Sequence, residues 1–369
     1  MTMFLQNITL RVLEWVIRPR NIGLKLIGSG VALLGITLGV DVFGQVDYMD
    51  GQRKLSFKFA TGDSLPAWMT LGAYLTAACL VLTGLAVVLY SFINSERLAS
   101  RRLCVVVELR GLHSSPDTPA KDADLGSLPR QRQGLKIDFR PKTEDELVNP
   151  RLALQQLAAM KTNICAASEG RDPSDVAIAV GGLGAIPALF LAGMLIDDES
   201  AVTLYDWQRD SKRWRLVDGP DDGKRMLPTD FSGLPEGVRE IVLAVSLSYY
   251  VDRSAIKASL PLLGVVELRA ELVKADTFWS TEKQQAVVTT FRDAVQELMH
   301  RGITRIHLIV ASPASLAIRL GMSYDRRLFP ELLVYQYERS CVPPYPWAFQ
   351  MPTHGQQAAI LVDTPVVSL

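Results

Sequence analysis

Three groups of residues in this chain have types and spacing suited to holding a ligand. Gly181, Gly182 and Gly184 follow an apolar, β-branched run and open a helical pattern. At such a turn a ligand can approach the backbone closely, and tight strand-to-helix packing is the competing explanation. Ser246 and Ser248, then Ser312, Pro313 and Ala314, stand at the ends of two further runs. Hydroxyls and amides there either face a ligand or cap helices. Arg110, Arg253, Lys257 and Lys274 lie near the same ends and can neutralise phosphate, and Tyr249, Tyr250, Phe278 and Trp279 offer ring faces for stacking or for the core. Of these, Lys274, Tyr249 and Trp279 are kept as candidate contacts.

Catalytic chemistry has no comparable set. The sequence contains no Gly-x-x-x-x-Gly-Lys-Ser/Thr loop, no Gly-x-Ser-x-Gly elbow and no Cys-His pairing. Cys79, Cys104, Cys165 and Cys341 are scattered, and His113, His300, His307 and His354 lack metal-ligand spacing. Asp197-Asp198-Glu199 and Asp221-Asp222 sit beside Gly and Pro and read as solvated turns. No catalytic residue, metal ligand or cofactor is expected. With 39 basic and 39 acidic residues the net charge is zero, so no global field grips a long nucleic acid.

From about Leu103 the pattern alternates between strands and amphipathic helices. Strands are predicted at Leu103 to Leu109, Val176 to Val180, Val202 to Trp207, Ile241 to Ser246, Val265 to Leu268, Arg305 to Val310 and Leu332 to Tyr337. Helices are predicted at Pro150 to Ser168, Gly184 to Leu195, Thr281 to Arg301 and Ala314 to Leu320. This order is the signature of an α/β fold with open, mostly parallel, Rossmann-like sheets. Residues 111 to 149, rich in Ser, Pro, Asp and Lys, read as a long loop or an insertion. The chain also repeats itself: VAIAVGGLGAIPALFLAGM at 176 to 194 followed by VTLYDW echoes IHLIVASPASLAIRLGM at 306 to 322 followed by LLVYQY. Two related halves with a cleft between them are expected, at about 103–235 and 236–369.

Residues 1 to 102 differ in kind. Ser64 to Ser95 contains no charged residue, and its apolar core, 65–93, exceeds the ~20 residues a helix needs to cross a bilayer. A second apolar segment runs over 22–43, with Lys25 and Asp41 near its ends, where side chains snorkel. A two-helix transmembrane hairpin follows, preceded by a short amphipathic stretch. Arginines flank both outer ends, which predicts cytoplasmic termini and a short outside loop. The Gly35-x-x-x-Gly39 spacing is a candidate for close helix packing, either between copies or within the hairpin.

The blocks Val180-Gly-Gly-Leu-Gly-Ala-Ile-Pro-Ala-Leu, Leu204-Tyr-Asp-Trp with Trp214 downstream, Leu243-Ala-Val-Ser-Leu-Ser and Ile306-His-Leu-Ile-Val-Ala-Ser-Pro-Ala-Ser-Leu-Ala, taken in order, resemble the SAVED domain. The resemblance implies two fused CARF-like halves over 103–369 that bind a cyclic oligonucleotide made by a partner nucleotidyltransferase in CBASS antiphage systems. With that ligand in view, the candidate contacts read from the residues are Gly181, Gly182, Gly184, Ser246, Ser248, Tyr249, Lys274, Trp279, Ser312, Pro313 and Ala314. The hairpin would then be a membrane-disrupting effector of the bacterial inner membrane, acting as a ligand-induced homo-oligomer and causing abortive infection. A membrane-bound nucleotide-processing enzyme and a membrane scaffold for a protein partner are the alternatives.

Overall fold

The structure, a computed structural model, describes residues 22–37, 67–112, 119–126, 128–129, 131–141, 148–196, 202–235 and 237–364. The chain forms two compact units, Met1–Ser100 and Arg101–Leu369.

In the first unit, helix α1 spans Ile22–Thr37 and α2 spans Ala67–Arg101. Within α2 the segment Leu71–Asn94 has mean hydropathy 2.2 and is the one described helix long and apolar enough to cross a membrane. Its 24 residues reach about 36 Å, against a hydrocarbon core of about 30 Å. Residues 38–43 of the expected first span lie outside the described residues. The two helices meet through small residues at intervals of seven. A Cβ on Gly23 would lie 2.8 Å from the Gly84 carbonyl oxygen, and one on Gly84 would lie 2.7 Å from that of Gly23. One turn-pair further on, a Cβ on Gly30 would lie 2.9 Å from the Ala77 carbonyl. The hairpin thus packs on itself through Gly23, Gly30, Ala77 and Gly84, where backbone contact replaces side-chain contact.

The second unit contains two sheets. Strands β1 (Leu103–Arg110), β2 (Gln131–Asp138), β3 (Val176–Leu183), β4 (Val202–Gln208) and β5 (Arg213–Leu216) form the first, in the order β2-β1-β3-β4-β5. Strands β6 (Glu240–Ser246), β7 (Val265–Arg269), β8 (Arg305–Ala311), β9 (Glu331–Gln336), β10 (Trp347–Gln350) and β11 (Ile360–Asp363) form the second, in the order β11-β10-β9-β8-β6-β7. The orders match strand for strand up to β10, and both sheets are parallel except at β5, β10 and β11. The repeat in the sequence is therefore a repeat in topology. Helices α3 (Pro150–Ala158), α4 (Met160–Ala167), α5 (Ile186–Ile196), α6 (Arg253–Ser259), α7 (Thr281–His300) and α8 (Ala314–Met322) connect the strands.

The predicted loop over 111–149 contains β2, which pairs along its whole length with β1 from Leu103↔Gln131 to Arg110↔Asp138. Its sequence, QRQGLKID, is polar because the strand is a half-exposed edge and carries little of the alternation that marks buried strands. The predicted helix over 150–168 breaks into α3 and α4 at Ala159. Strand β3 runs three residues beyond Val180, so Gly181 and Gly182 lie inside it and only Gly184 lies in the turn.

Helices α5 and α8 cross at the junction of the halves. Helix α5 reads IPALFLAGMLI, apolar on every side, and it is buried from Pro187 to Gly193. A helix hydrophobic all round is one surrounded by protein or lipid. At the crossing a Cβ on Gly193 would sit 2.0 Å from the Ile318 carbonyl oxygen, and a Cβ on Gly321 would sit 2.0 Å from that of Phe190. The two contacts are equivalents under the internal repeat, so the halves are joined by an approximate two-fold axis. Gly193→Ala must push two backbones apart; we expect it to cost about 2–3 kcal/mol, read as a lowered urea midpoint of the full chain in detergent. Gly264→Ala, where a Cβ meets nothing within 4 Å, should change stability by less than about 0.5 kcal/mol.

Candidate functional site

In each half the strand that begins it has its sequence successors on both sides: β1 lies between β2 and β3, and β6 lies between β7 and β8. Open α/β sheets bind ligands outside the carboxyl ends of strands at such a reversal. In the first half those ends are Arg110-Gly111 and Leu183-Gly184. Gly111 donates its N–H to the Leu183 carbonyl at 2.7 Å, and Phe139 donates to that of Arg110 at 2.9 Å. In the second half they are Ser246 to Tyr249 and Ala311 to Ala314. There Leu247 and Ser248 donate their N–H groups to the Ala311 carbonyl at 3.1 and 2.8 Å, and Ala270 donates to that of Ser246 at 3.0 Å.

The two reversals are drawn to one place by a reciprocal pair of hydrogen bonds. The Ser315 N–H, in the first turn of α8, donates to Oδ2 of Asp206 at 2.9 Å, and Asp206 is in β4 of the other half. The Ile186 N–H, which begins α5, donates to Oε1 of Gln336 at 3.1 Å, and Gln336 ends β9 of the other half. Asp206 and Gln336 occupy matching places in the repeat, one after Tyr205 and one after Tyr335. Each half thereby caps the helix of its partner. Sequence reading missed both residues; the signal was their shared position in LYDW and VYQY.

The predicted contacts separate into three sets. Gly181 and Gly182 are bound up with neighbouring strands, since their Cβ atoms would lie 2.2 Å from the Tyr205 carbonyl and 2.1 Å from the Leu109 carbonyl. Gly184 packs against Phe139 and Gly111. Ser246 is fully buried, donating to Oε1 of Glu267 at 3.0 Å and accepting from the Val251 N–H at 3.1 Å. Trp279 lies under the Arg215 guanidinium at 5.1 Å and joins the halves through its carbonyl, which accepts from Gly219 at 2.8 Å. By contrast Ser248, Tyr249, Ser312, Pro313 and Ala314 gather at the ends of β6 and β8. Tyr249 is 57% exposed and Tyr250 67%. Lys274, exposed, is tied there by its N–H to the Leu247 carbonyl at 3.2 Å.

At the matching end of β1, Arg110 and Glu108 form a buried ion pair of 2.6 Å. The other Glu108 oxygen accepts from the Ala120 N–H at 2.9 Å. Among the described residues, one buried side-chain nitrogen or oxygen lacks a hydrogen-bond partner, and it is Nη2 of Arg110. Outside this region, Asp221 and Asp222 are held below the usual carboxylate range by hydrogen bonds from Arg225 and Lys283. His307 is buried between Tyr335 and Glu240. Asp197, Asp198 and Glu199 lie outside the described residues.

A family model of the SMODS-associated and fused to various effectors sensor domain, SAVED, matches residues 159–351, more than half of the chain. The chain belongs to the SAVED family. A second model, the SAVED-fused 2TM effector domain, matches residues 2–154, so the chain is a two-transmembrane SAVED effector associated with the membrane. No curated protein matches it. Among solved structures, the Acinetobacter baumannii Cap4 SAVED/CARF-domain containing receptor with the cyclic trinucleotide 2'3'3'-cAAA has a TM-score of 0.46 at 12% identity, over 75% of this chain and 57% of the receptor. The Moraxella osloensis Cap4 SAVED/CARF-domain containing receptor has a TM-score of 0.42 at 11% identity, over 74% of this chain and 59% of the receptor. This chain therefore spans well under the full length of either.

Within the SAVED domain the reciprocal caps limit what the helix entrances can do. The Asp206 carboxylate already fills the positive N-terminus of α8, and Pro187 removes an N–H from that of α5, so a ligand there meets side chains and strand-end amides more than helix ends. Burial holds the Asp206 carboxyl above the usual range, with the amide and hydroxyl of Ser315 and the Trp207 amide pulling the other way. A folded pKa above the unfolded one stabilises the fold fully below the unfolded value, about pH 4, and that contribution is lost as pH rises through the folded pKa. The stability of the full chain relative to Asp206→Asn should therefore fall as the pH rises above about 4. Urea titrations at several pH values measure the difference. Asp206→Ala, which strands two buried amides, should cost about 2–4 kcal/mol at neutral pH.

Proposed function

We propose that this protein is a CBASS antiphage effector that senses a cyclic oligonucleotide. The SAVED domain receives the ligand in the cleft where the carboxyl ends of both sheets meet. The single observation that carries this reading is the convergence of two equivalent strand-reversal sites, tied together by Asp206 and Gln336. A ligand with repeated, rotationally related phosphates suits two related walls better than one wall. Exposed Tyr249 and Tyr250 offer stacking faces beside Ser248, Ser312 and Lys274. Among the described residues Nη2 of Arg110 has no acceptor, and a phosphate oxygen supplies one.

Signal transfer in this reading is a population shift. The ligand, made by a partner nucleotidyltransferase, binds the self-associated form more tightly than the single chain, since equal affinity would move nothing. Association then drives the hairpin to disrupt the inner membrane, with both termini on the cytoplasmic side, and the infected cell dies before the phage matures. Copies of the hairpin meet through the Gly35-x-x-x-Gly39 spacing of the first span. The ligand is sensed and released rather than consumed.

The full chain in detergent should bind a member of a panel of cyclic oligonucleotides, and the ligand recovered after long incubation should be intact. Steady conversion to linear nucleotides by the pure protein would establish an enzyme instead. Arg110→Lys keeps the charge beside Glu108 but removes the fork; it should weaken the ligand about tenfold with little loss of stability. Ser312→Asp should weaken it further by placing a carboxylate at the β8 end. In liposomes, Gly35→Leu with Gly39→Leu should abolish ligand-dependent dye leakage while binding persists. Full leakage from that variant would remove this face from the assembly.

A further inference from the structure

A second cavity, of about 400 Å³, opens on the helical layer at the junction of the halves. Met194, near the end of α5, lines it from the first half. Arg292 of α7, Arg319 of α8, and Arg326 and Arg327 in the turn between α8 and β9 line it from the second. A helix that follows a parallel strand returns antiparallel, so the last turn of α8 lies toward the amino ends of the strands, away from the cleft described above.

Four guanidinium groups on one cavity is an unusual concentration of charge. None of the four makes an ion pair among the described residues. The one carboxylate lining the cavity is Asp325, whose Oδ1 accepts from the Arg327 backbone N–H at 2.8 Å. Arg319 is half-buried and spends only Nε, which donates to Oε1 of Gln284 at 2.7 Å. Burial pulls its pKa below the ordinary arginine value. Asp325 on the cavity wall and Glu282, which acts on Arg319, are fewer carboxylates than the four arginines they face, so the cavity keeps an excess of positive charge that favours an anion. Planar forks suit phosphate oxygens in pairs, and the volume exceeds what a single phosphate fills.

We infer that this cavity is a second binding site, distinct from the cyclic-ligand cleft, for a multiply charged phosphate group such as the pyrophosphate or triphosphate of a small molecule. The site is connected to the inter-half cap. Arg319 holds Gln284, Gln284 donates through Nε2 to the Ser315 hydroxyl at 3.1 Å, and the Ser315 N–H is the donor to Asp206. The same chemistry is presented by a free polyphosphate and by a phosphate-bearing lipid headgroup, so both sources enter the test.

The experiment is calorimetry on the full chain in neutral detergent, with inorganic pyrophosphate or dihexanoyl phosphatidic acid as titrant and potassium chloride of equal ionic strength as control. Arg326→Ser with Arg327→Ser removes two exposed, unpaired side chains and leaves the fold in place. Saturable pyrophosphate binding, weakened about tenfold or more in that variant, is the expected result and assigns a free polyphosphate. Saturable binding of the phosphatidic acid alone, weakened in the same variant, supports the site and assigns the lipid. No binding of either above the chloride control overturns the proposal, as does binding that the variant leaves unchanged. A variant that is folded, but has lost pyrophosphate and cyclic oligonucleotide together, would merge the two sites and overturn their separation.

Discussion

The second unit depends on the approach of two helix backbones to within carbonyl contact. Helices α5 and α8 touch where Gly193 meets Ile318 and Gly321 meets Phe190, with no room at either point for a methyl group. Ordinary side chains hold helix axes about 8–10 Å apart, and only glycines permit less. Close contact at that crossing is what brings β4 within reach of the α8 entrance and β9 within reach of the α5 entrance. The caps by Asp206 and Gln336 are a consequence of the distance set by two glycines. The cleft exists because both sheets are then forced to present their carboxyl ends to the same space.

Three buried charged residues stand at that space, while Lys283 and His307 are buried elsewhere beside Asp222 and Glu240. Glu108 and Arg110 are paired at the end of β1, and Asp206 stands at the end of β4 with two amides directed at it. Burying a carboxylate or guanidinium is costly unless every lone pair and hydrogen finds a partner. Asp206 meets that condition closely, and Arg110 does not, by one nitrogen. The contrast separates a group whose work is to join the halves from one still offering a donor. The same comparison divides the serines: Ser246 spends its hydroxyl on Glu267 and Val251, while that of Ser312 donates locally, to the Pro313 carbonyl at 3.1 Å.

Much of this was legible in the chain. The internal repeat announced two related halves because Gly-Met at 193 and 321 lies in the last turn of each crossing helix, and the tyrosines at 205 and 335 mark the strand that follows. The buried parallel strands were readable as β-branched runs. Strand β2 was hidden, since an edge strand with one solvent face has no need of the apolar residues that a pattern search detects. Gly181 and Gly182 looked like a ligand turn because glycine permits close approach of any atom. What approaches them is the chain itself, at Tyr205 and Leu109. Spacing alone does not tell a phosphate from a neighbouring carbonyl, and Asp206 shows why: its carboxylate sits at a helix entrance where an anion is expected.

The hairpin obeys the rule that governs the α5 and α8 crossing, transferred to lipid. Gly23 faces Gly84, and Gly30 faces Ala77, one heptad apart on both helices. In water such a seam would be supported by the hydrophobic effect, but in hydrocarbon the packing of small residues must suffice. A seam made of backbone contacts is either formed or broken, since a gap of even one ångström forfeits much of the attraction. The hairpin therefore packs as one unit with a fixed internal register. What remains variable is its outer face, where Gly28 and Gly72 have nothing within 4 Å of the place a Cβ would occupy.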